Sequence, residues 1–218
     1  MAEMGLVGRD HVPLRQAVTD EIRDRIVRGE YPPGTRLAEE LLARELEVSR
    51  NPVRESLQAL AAEGFVELEP RRGARVARVD SQRATELFEV RQALEGLTAE
   101  LAARKRTPEG VATLLAVVDE GRAAADRREL DELPMLNTRF HGQLATMAAN
   151  QLLADTLAQL SGVIRWIYAE RLTERVERSW HEHVDLAEAV ARGDATAARR
   201  LAEAHVASAR DAYFAWAG

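Results

Sequence analysis

The 218-residue chain contains no cysteine, which excludes disulfides, thiolate metal sites and a cysteine nucleophile together. Aromatic residues are scarce at 5%, and Ala, Leu, Arg and Glu dominate instead, a balance that favours helices. No stretch approaches the roughly 18 apolar residues of a membrane span. The start, Met1 to Asp10, lacks the basic-then-apolar order of a secretion signal. A cytoplasmic chain with no membrane partner is the expectation. Two enzyme signatures are missing as well, the His-Glu-x-x-His run and the glycine-rich phosphate loop. Glu182 beside His183 is the only obvious candidate base, and neighbours along a helix point apart. The chain is therefore not expected to be an enzyme.

Basic charge is not in excess either. The net charge is −6, and residues 1–80 hold 13 arginines against 15 carboxylates. For a nucleic-acid binder the placement of charge matters more than its sum. Arg50 and Arg54 lie one helical turn apart, and Arg71, Arg72, Arg75 and Arg78 crowd a short segment with no acid between them.

What is present is 46% hydrophobic and 30% charged residues, enough apolar material for real cores. The length permits two modest domains. Leu14, Val18, Ile22 and Ile26 recur at steps of four and predict an amphipathic helix over 14–28. Gly29 and Tyr31-Pro32-Pro33-Gly34 stop it. A short helix over 38–46 follows, with Leu41, Leu42 and Leu46 apolar. Ser49 suits the N-cap of a third helix over 50–63, where Pro52 is tolerated in the first turn. Its inner face carries Val53, Leu57 and Leu60, and a polar face carries Arg50, Arg54 and Gln58. Residues 65–69 and 74–79 alternate around Pro70-Arg71-Arg72-Gly73 and predict a β-hairpin with an arginine-loaded tip. Three helices and a hairpin in this order predict a winged helix-turn-helix over residues 1–80. Residues 81–218 read as helical throughout, with helices over 83–105, 108–125, 129–148, 150–173, 175–192 and 194–216. The expected fold is thus mainly α, a winged helix-turn-helix followed by a six-helix antiparallel bundle.

The second helix of a helix-turn-helix reads DNA with residues near its N-terminus, the place held by Ser49, Arg50, Asn51 and Arg54. Arginine to guanine is the commonest specific base contact. Ser49 also reads as an N-cap alone, and both roles are compatible. The run Gly29-Glu-Tyr-Pro-Pro-Gly34, Leu37, Glu39, Leu42-Ala43, Val48-Ser-Arg-Asn-Pro-Val-Arg-Glu55, Leu57, Leu60, Glu63-Gly64 and Arg72-Gly73 resembles the GntR family of bacterial transcription regulators. That resemblance implies a homodimer on a double-stranded, near-palindromic operator. It places Arg36, Ser49, Arg50, Arg54 and the wing around Arg72 and Gly73 at the DNA.

In the second half, helical spacing turns His141, His183 and His205 toward a core, whereas His181 joins a polar stripe with Asp185, Glu188 and Arg192. Inward histidines are either hydrogen-bonded core residues or ligands. Three of them on neighbouring helices favour a shared partner, because buried imidazoles without one are costly. Asn137-Thr-Arg-Phe-His141, Glu182-His183 and His205 resemble the FCD ligand-binding domain of the FadR-type branch of that family. The resemblance implies a divalent metal on Asn137, His141, His183 and His205, with Glu182 in the motif but not a ligand. Asn137 stands where the pattern has aspartate, and its neutral amide adds no charge. Imidazoles suit zinc or nickel better than magnesium or calcium. The resemblance also implies a small carboxylate effector. Arg91, in an Arg-x-x-Leu-Glu pattern ending at Glu95, reads either as its clamp or as half of an intrahelical salt bridge. Asn150 and Arg165 are further candidates for the cavity wall. An alternative is a purely structural dimerisation module with no effector.

Overall fold

The computed structural model describes residues 13–69, 73–78, 80–129, 132–168 and 172–217, and the side chains among them apart from 161–165, 167–168, 172–178 and 216–217. The chain divides into two compact units, Met1–Arg78 and Val79–Gly218.

The first unit runs α1 (Leu14–Val27), β1 (Arg36–Leu37), α2 (Glu39–Glu45), α3 (Arg50–Ala62), β2 (Val66–Glu69) and β3 (Gly73–Val76). α1 buries Val18, Ile22 and Ile26 against α3, which contributes Val53, Leu57 and Leu60. Leu14 departs from the expected stripe: it opens the helix a turn before the core begins and is 59% exposed. Leu41 on α2 is likewise exposed. Between α1 and α3 the Thr19 hydroxyl donates to Ser56 Oγ at 2.9 Å, and Ser56 Oγ donates to the Arg15 carbonyl at 3.2 Å, so these buried hydroxyls are satisfied. The hairpin strands pair antiparallel with Val66 opposite Val76 and Leu68 opposite Ala74. β1, in a stretch that the spacing assigns to no element, adds a third strand on the far side of β3, with Arg36 opposite Arg75. Two residues are too few to show any period; only their partner makes them a strand. The backbone at Gly34 takes φ +85°, so the turn into β1 favours glycine, and the Arg78 guanidinium lies over the space that a Cβ would fill.

The second unit is wholly helical among the described residues: α4 (Ser81–Lys105), α5 (Pro108–Arg127), α6 (Leu133–Ala148), α7 (Gln151–Tyr168), α8 (Leu172–Arg192) and α9 (Ala195–Ala217). Polar side chains start four of them. Asp80, Thr107, Asn150 and Asp194 accept from the backbone amides of Arg83, Gly110, Leu153 and Ala197 at 2.8 to 3.2 Å, each cap filling an otherwise orphaned donor. α6 begins later than the expected residue 129. Arg128 closes α5 in a left-handed conformation, φ 57°, and the Glu129 amide folds back onto the Ala124 carbonyl, which is a helix ending rather than a beginning. α4 lies along α9 and also meets α6, α7 and α8, while α5 packs on α6 and α8. Small residues on α4 (Gly96, Ala99, Ala102 and Ala103) are buried, which lets its neighbours approach closely. Trp180 sits on Gly121 of α5 so tightly that a Cβ there would stand 2.2 Å from the indole.

Candidate DNA-reading face and histidine cavity

In the first unit the residues before and within the first turn of α3 form a solvent-facing polar patch. Ser49, Arg50, Asn51 and Arg54 are all exposed, with Val53 and Leu57 buried on the opposite side. Ser49 occupies the N-cap position, yet its side chain makes no capping hydrogen bond; the N-cap reading is corrected to position without bond. The arginines are tethered in a way the sequence reading did not foresee. Arg54 donates through Nε and Nη2 to the Glu39 carboxylate at 3.1 and 2.8 Å. Arg50 Nη2 lies 3.1 Å from Glu40 Oε1. The hydrogen bond from Arg54 holds the Glu39 carboxyl below its usual range. The first turn of α2 therefore supplies counter-charges to α3, and the four residues make one charge-alternating surface. Arg36 is exposed on β1. Gly73 opens β3 at φ +91° with open space around its Cβ position. Arg72 lies outside the described residues, as does the side chain of Arg165.

In the second unit His141 on α6, His183 on α8 and His205 on α9 come together. One donor nitrogen from each lies within 4.8 Å of the others. His183 is fully buried and His205 is 5% exposed, while His181, two residues from His183, is exposed. Packing fixes the rings. Phe140 stacks on His183 with centroids 4.1 Å apart, and Trp180 meets the same ring edge-on at 4.8 Å. Phe140 was not foreseen as a support for the cluster, although it immediately precedes His141. Burial takes the His141 imidazole down to about 4, against the pull of Glu95, so it is neutral at neutral pH and able to act as a ligand.

These residues fit a divalent ion. Nε2 of His141 is buried and has no hydrogen-bond partner among the described residues, a costly arrangement that a bound cation would relieve. Tetrahedral zinc with nitrogens at about 2.0–2.1 Å places neighbouring donors about 3.4 Å apart, and the three donors here lie within 4.8 Å of one another.

A cavity of about 280 Å³ adjoins the cluster, lined among others by Arg91, Glu95, Thr98, Asn137 and His141. Its size is near the lower end of small-molecule pockets, about 300–1,000 Å³. Asn137 sits one turn before His141, on the cavity side. Of the two readings of Arg91, the salt bridge is present: Nε donates to Glu95 Oε1 at 2.5 Å. Arg91 nonetheless faces the cavity, so pairing and ligand contact share one side chain. Burial would push the Glu95 carboxyl up, but Arg91, with His141 and His205, takes it down to about 2. Asn150 is not among the residues lining this cavity. Its Oδ1 is engaged by the Leu153 amide, because a residue at that helix start is used as a cap.

The family described as bacterial regulatory proteins, gntR family, matches residues 14–76, and the FCD domain matches residues 86–208. The chain is 29% identical over 197 residues to the HTH-type transcriptional repressor RspR of Escherichia coli, covering 89% of this chain and 86% of the relative. It is 30% identical over 200 residues to an uncharacterized HTH-type transcriptional regulator in an unstable DNA locus of Streptomyces ambofaciens, covering 90% and 84%. Among solved structures, E. coli McbR/YncC superimposes with a TM-score of 0.78 at 20% identity, over 95% of this chain and all of that one. With a winged unit under the first match and a helical unit under the second, the chain belongs to the GntR family of bacterial transcription regulators, in the branch that carries an FCD domain.

Proposed function

We propose that this regulator binds its operator as a cytoplasmic homodimer and changes its hold on DNA when a small carboxylate enters the cavity beside a divalent metal. The observation that carries the reading is the convergence of His141, His183 and His205, of which His141 also lines a cavity that presents Arg91 and Asn137. Zinc or nickel suits three imidazoles. Asn137 stands as a weak fourth ligand, which leaves the ion's cavity side for an acid to complete. Arg91 can pair with the same acid bidentately, exchanging it for Glu95. Metal and acid then tighten each other by the same factor. At the DNA, Arg36, Ser49, Arg50, Asn51, Arg54 and the wing at Arg72 and Gly73 are the proposed contacts, with Arg50 and Arg54 trading their glutamate partners for phosphates or base edges.

The test is metal analysis of untagged protein purified without chelator, followed by thermal-shift and operator-binding titrations with organic acids in the presence and absence of zinc or nickel. Bound metal together with an acid-dependent change in operator affinity is the expected result. A protein that takes up neither ion, with or without acids, returns the histidines to the core and defeats the metal reading.

A further inference from the structure

The two carboxylates nearest the histidine cluster do not belong to it. The donor group consists of three imidazoles, yet Glu95 and Glu182 each stand against the outer nitrogen of one of them. His205 Nδ1 lies 2.6 Å from Glu182 Oε2, and His141 Nδ1 lies 3.4 Å from Glu95 Oε2. In both cases the second carboxylate oxygen is anchored elsewhere. Glu95 Oε1 accepts from Arg91 Nε at 2.5 Å, and Glu182 Oε1 accepts from Ser208 Oγ at 2.9 Å. Nδ1 of His205, within hydrogen-bonding range of Glu182, carries the proton, and at His141 the Glu95 carboxylate, at ion-pair distance, favours the proton on the same nitrogen. The lone pair of a neutral ring then sits on Nε2, and at His141 that atom is the buried one without a hydrogen bond.

We propose that Glu95 and Glu182 are positioning residues for the metal: each holds the Nδ1 side of a cluster histidine so that Nε2 points at the ion. Together they supply, from one shell further out, the negative charge that Asn137 does not bring. The inference rests on the metal reading above. Two outer carboxylates stand close to an all-neutral set of ligands, Glu95 being shared with Arg91, so the ion's charge is compensated in part and an acid in the cavity can complete it. Outer-shell carboxylates raise the basicity of ligating imidazoles and fix their tautomer, and removing one typically costs 10- to 100-fold in metal affinity. Arg91 places Glu95 under the influence of whatever enters the cavity. An acid that draws Arg91 away frees the carboxylate to bear on His141, a route from the cavity to the metal that needs no movement of the helices.

The experiment titrates metal-free wild-type protein, Glu95→Gln, Glu182→Gln and Ser208→Ala with cobalt and zinc alone. Cobalt uptake is followed by its visible absorption, and thermal melts of the metal-free proteins check folding. Each glutamine variant should bind about 10- to 100-fold more weakly. Ser208→Ala, which loosens Glu182 without altering its charge, should weaken binding in the same direction by less. Nitrogen-15 shifts of the histidines in metal-free wild type should show the proton on Nδ1 of His141 and His205. Glutamine variants that fold and bind within twofold of wild type would overturn the inference while leaving the metal reading standing, as would a proton found on Nε2 of both rings. A wild type that binds neither ion overturns the metal reading itself.

Discussion

Arg54 is the residue whose meaning changed most between sequence and structure. Its spacing from Arg50 and its place near the start of α3 marked it as a base reader, and it is exposed as such a reader must be. What spacing could not reveal is that Nε and Nη2 are already engaged by Glu39, fifteen residues earlier. Replacing Arg54 by Ala should weaken operator binding by about 5- to 150-fold and relax preference at one base position. Glu39→Gln should do the reverse to charge, steepening the salt dependence of DNA binding by up to about one phosphate equivalent while blunting discrimination between operators. Fluorescence anisotropy across a salt series reads both, and identical slopes for Glu39→Gln and wild type would contradict the tether. At the other site, a pH dependence follows from His141. Its folded value near 4 is below the usual 6.5, so the unfolded chain binds the extra proton between those values. Stability conferred by the neutral ring is present above about pH 6.5 and is lost as pH falls toward 4. Glu95, held near 2 rather than 4.5, adds a further loss below about pH 4.5. Urea midpoints of metal-free protein should fall from pH 7 to pH 5 more steeply than those of His141→Gln.

Helices were legible in the sequence where their apolar spacing ran over several turns, as in α1 and α3, whereas Asn150, expected at the cavity wall, is taken up as the cap of α7. The structure shortens or shifts them where local backbone decides, as at left-handed Arg128 before α6. β1 escaped notice because a strand of two residues exists only through its partner. The contact between Gly121 and Trp180 was equally hidden: 59 residues separate them, and nothing around Gly121 signals that an indole will lie on it. Gly121→Ala gains about 1 kcal/mol of helix propensity, but a buried indole 2.2 Å from the new methyl must move, and overpacking of this kind costs about 1–3 kcal/mol. A net loss of stability is expected in chemical denaturation, in contrast to Gly142→Ala on α6, where the added methyl meets nothing within 4 Å. If both variants gain stability alike, the Trp180 contact is softer than its geometry.

At the scale of the whole molecule, the winged unit was readable because order matters more than any one element: three helices and a hairpin in sequence leave few alternatives. The gathering of three histidines was readable too, since each occupied the inward face of a regular helix. Their carboxylate neighbours were not, because Glu95 and Glu182 reach the rings from helices 46 and 23 residues away along the chain, through packing that no local pattern encodes. Overall charge bears on DNA binding as well. With a net charge of −6, attraction to a phosphate backbone is confined to the arginines that face it, and the salt slope of binding should count those contacts. One α3 helix spans only a few base pairs, so useful specificity requires two half-sites. Light scattering of the protein free and on operator should therefore give the mass of a dimer; a monomer in both states would rule this out.

The edge-on contact between Trp180 and His183, 4.8 Å between ring centres, gives the protein a built-in optical gauge. An indole that is 1% exposed emits toward the blue, and an open-shell ion such as nickel or cobalt, if held by the neighbouring His183, would drain its excited state. Closed-shell zinc does not, and alters emission only through the field it imposes. The same titration followed by light would therefore distinguish the two kinds of ion, with a Trp180→Phe variant separating this signal from that of Trp166 and Trp216.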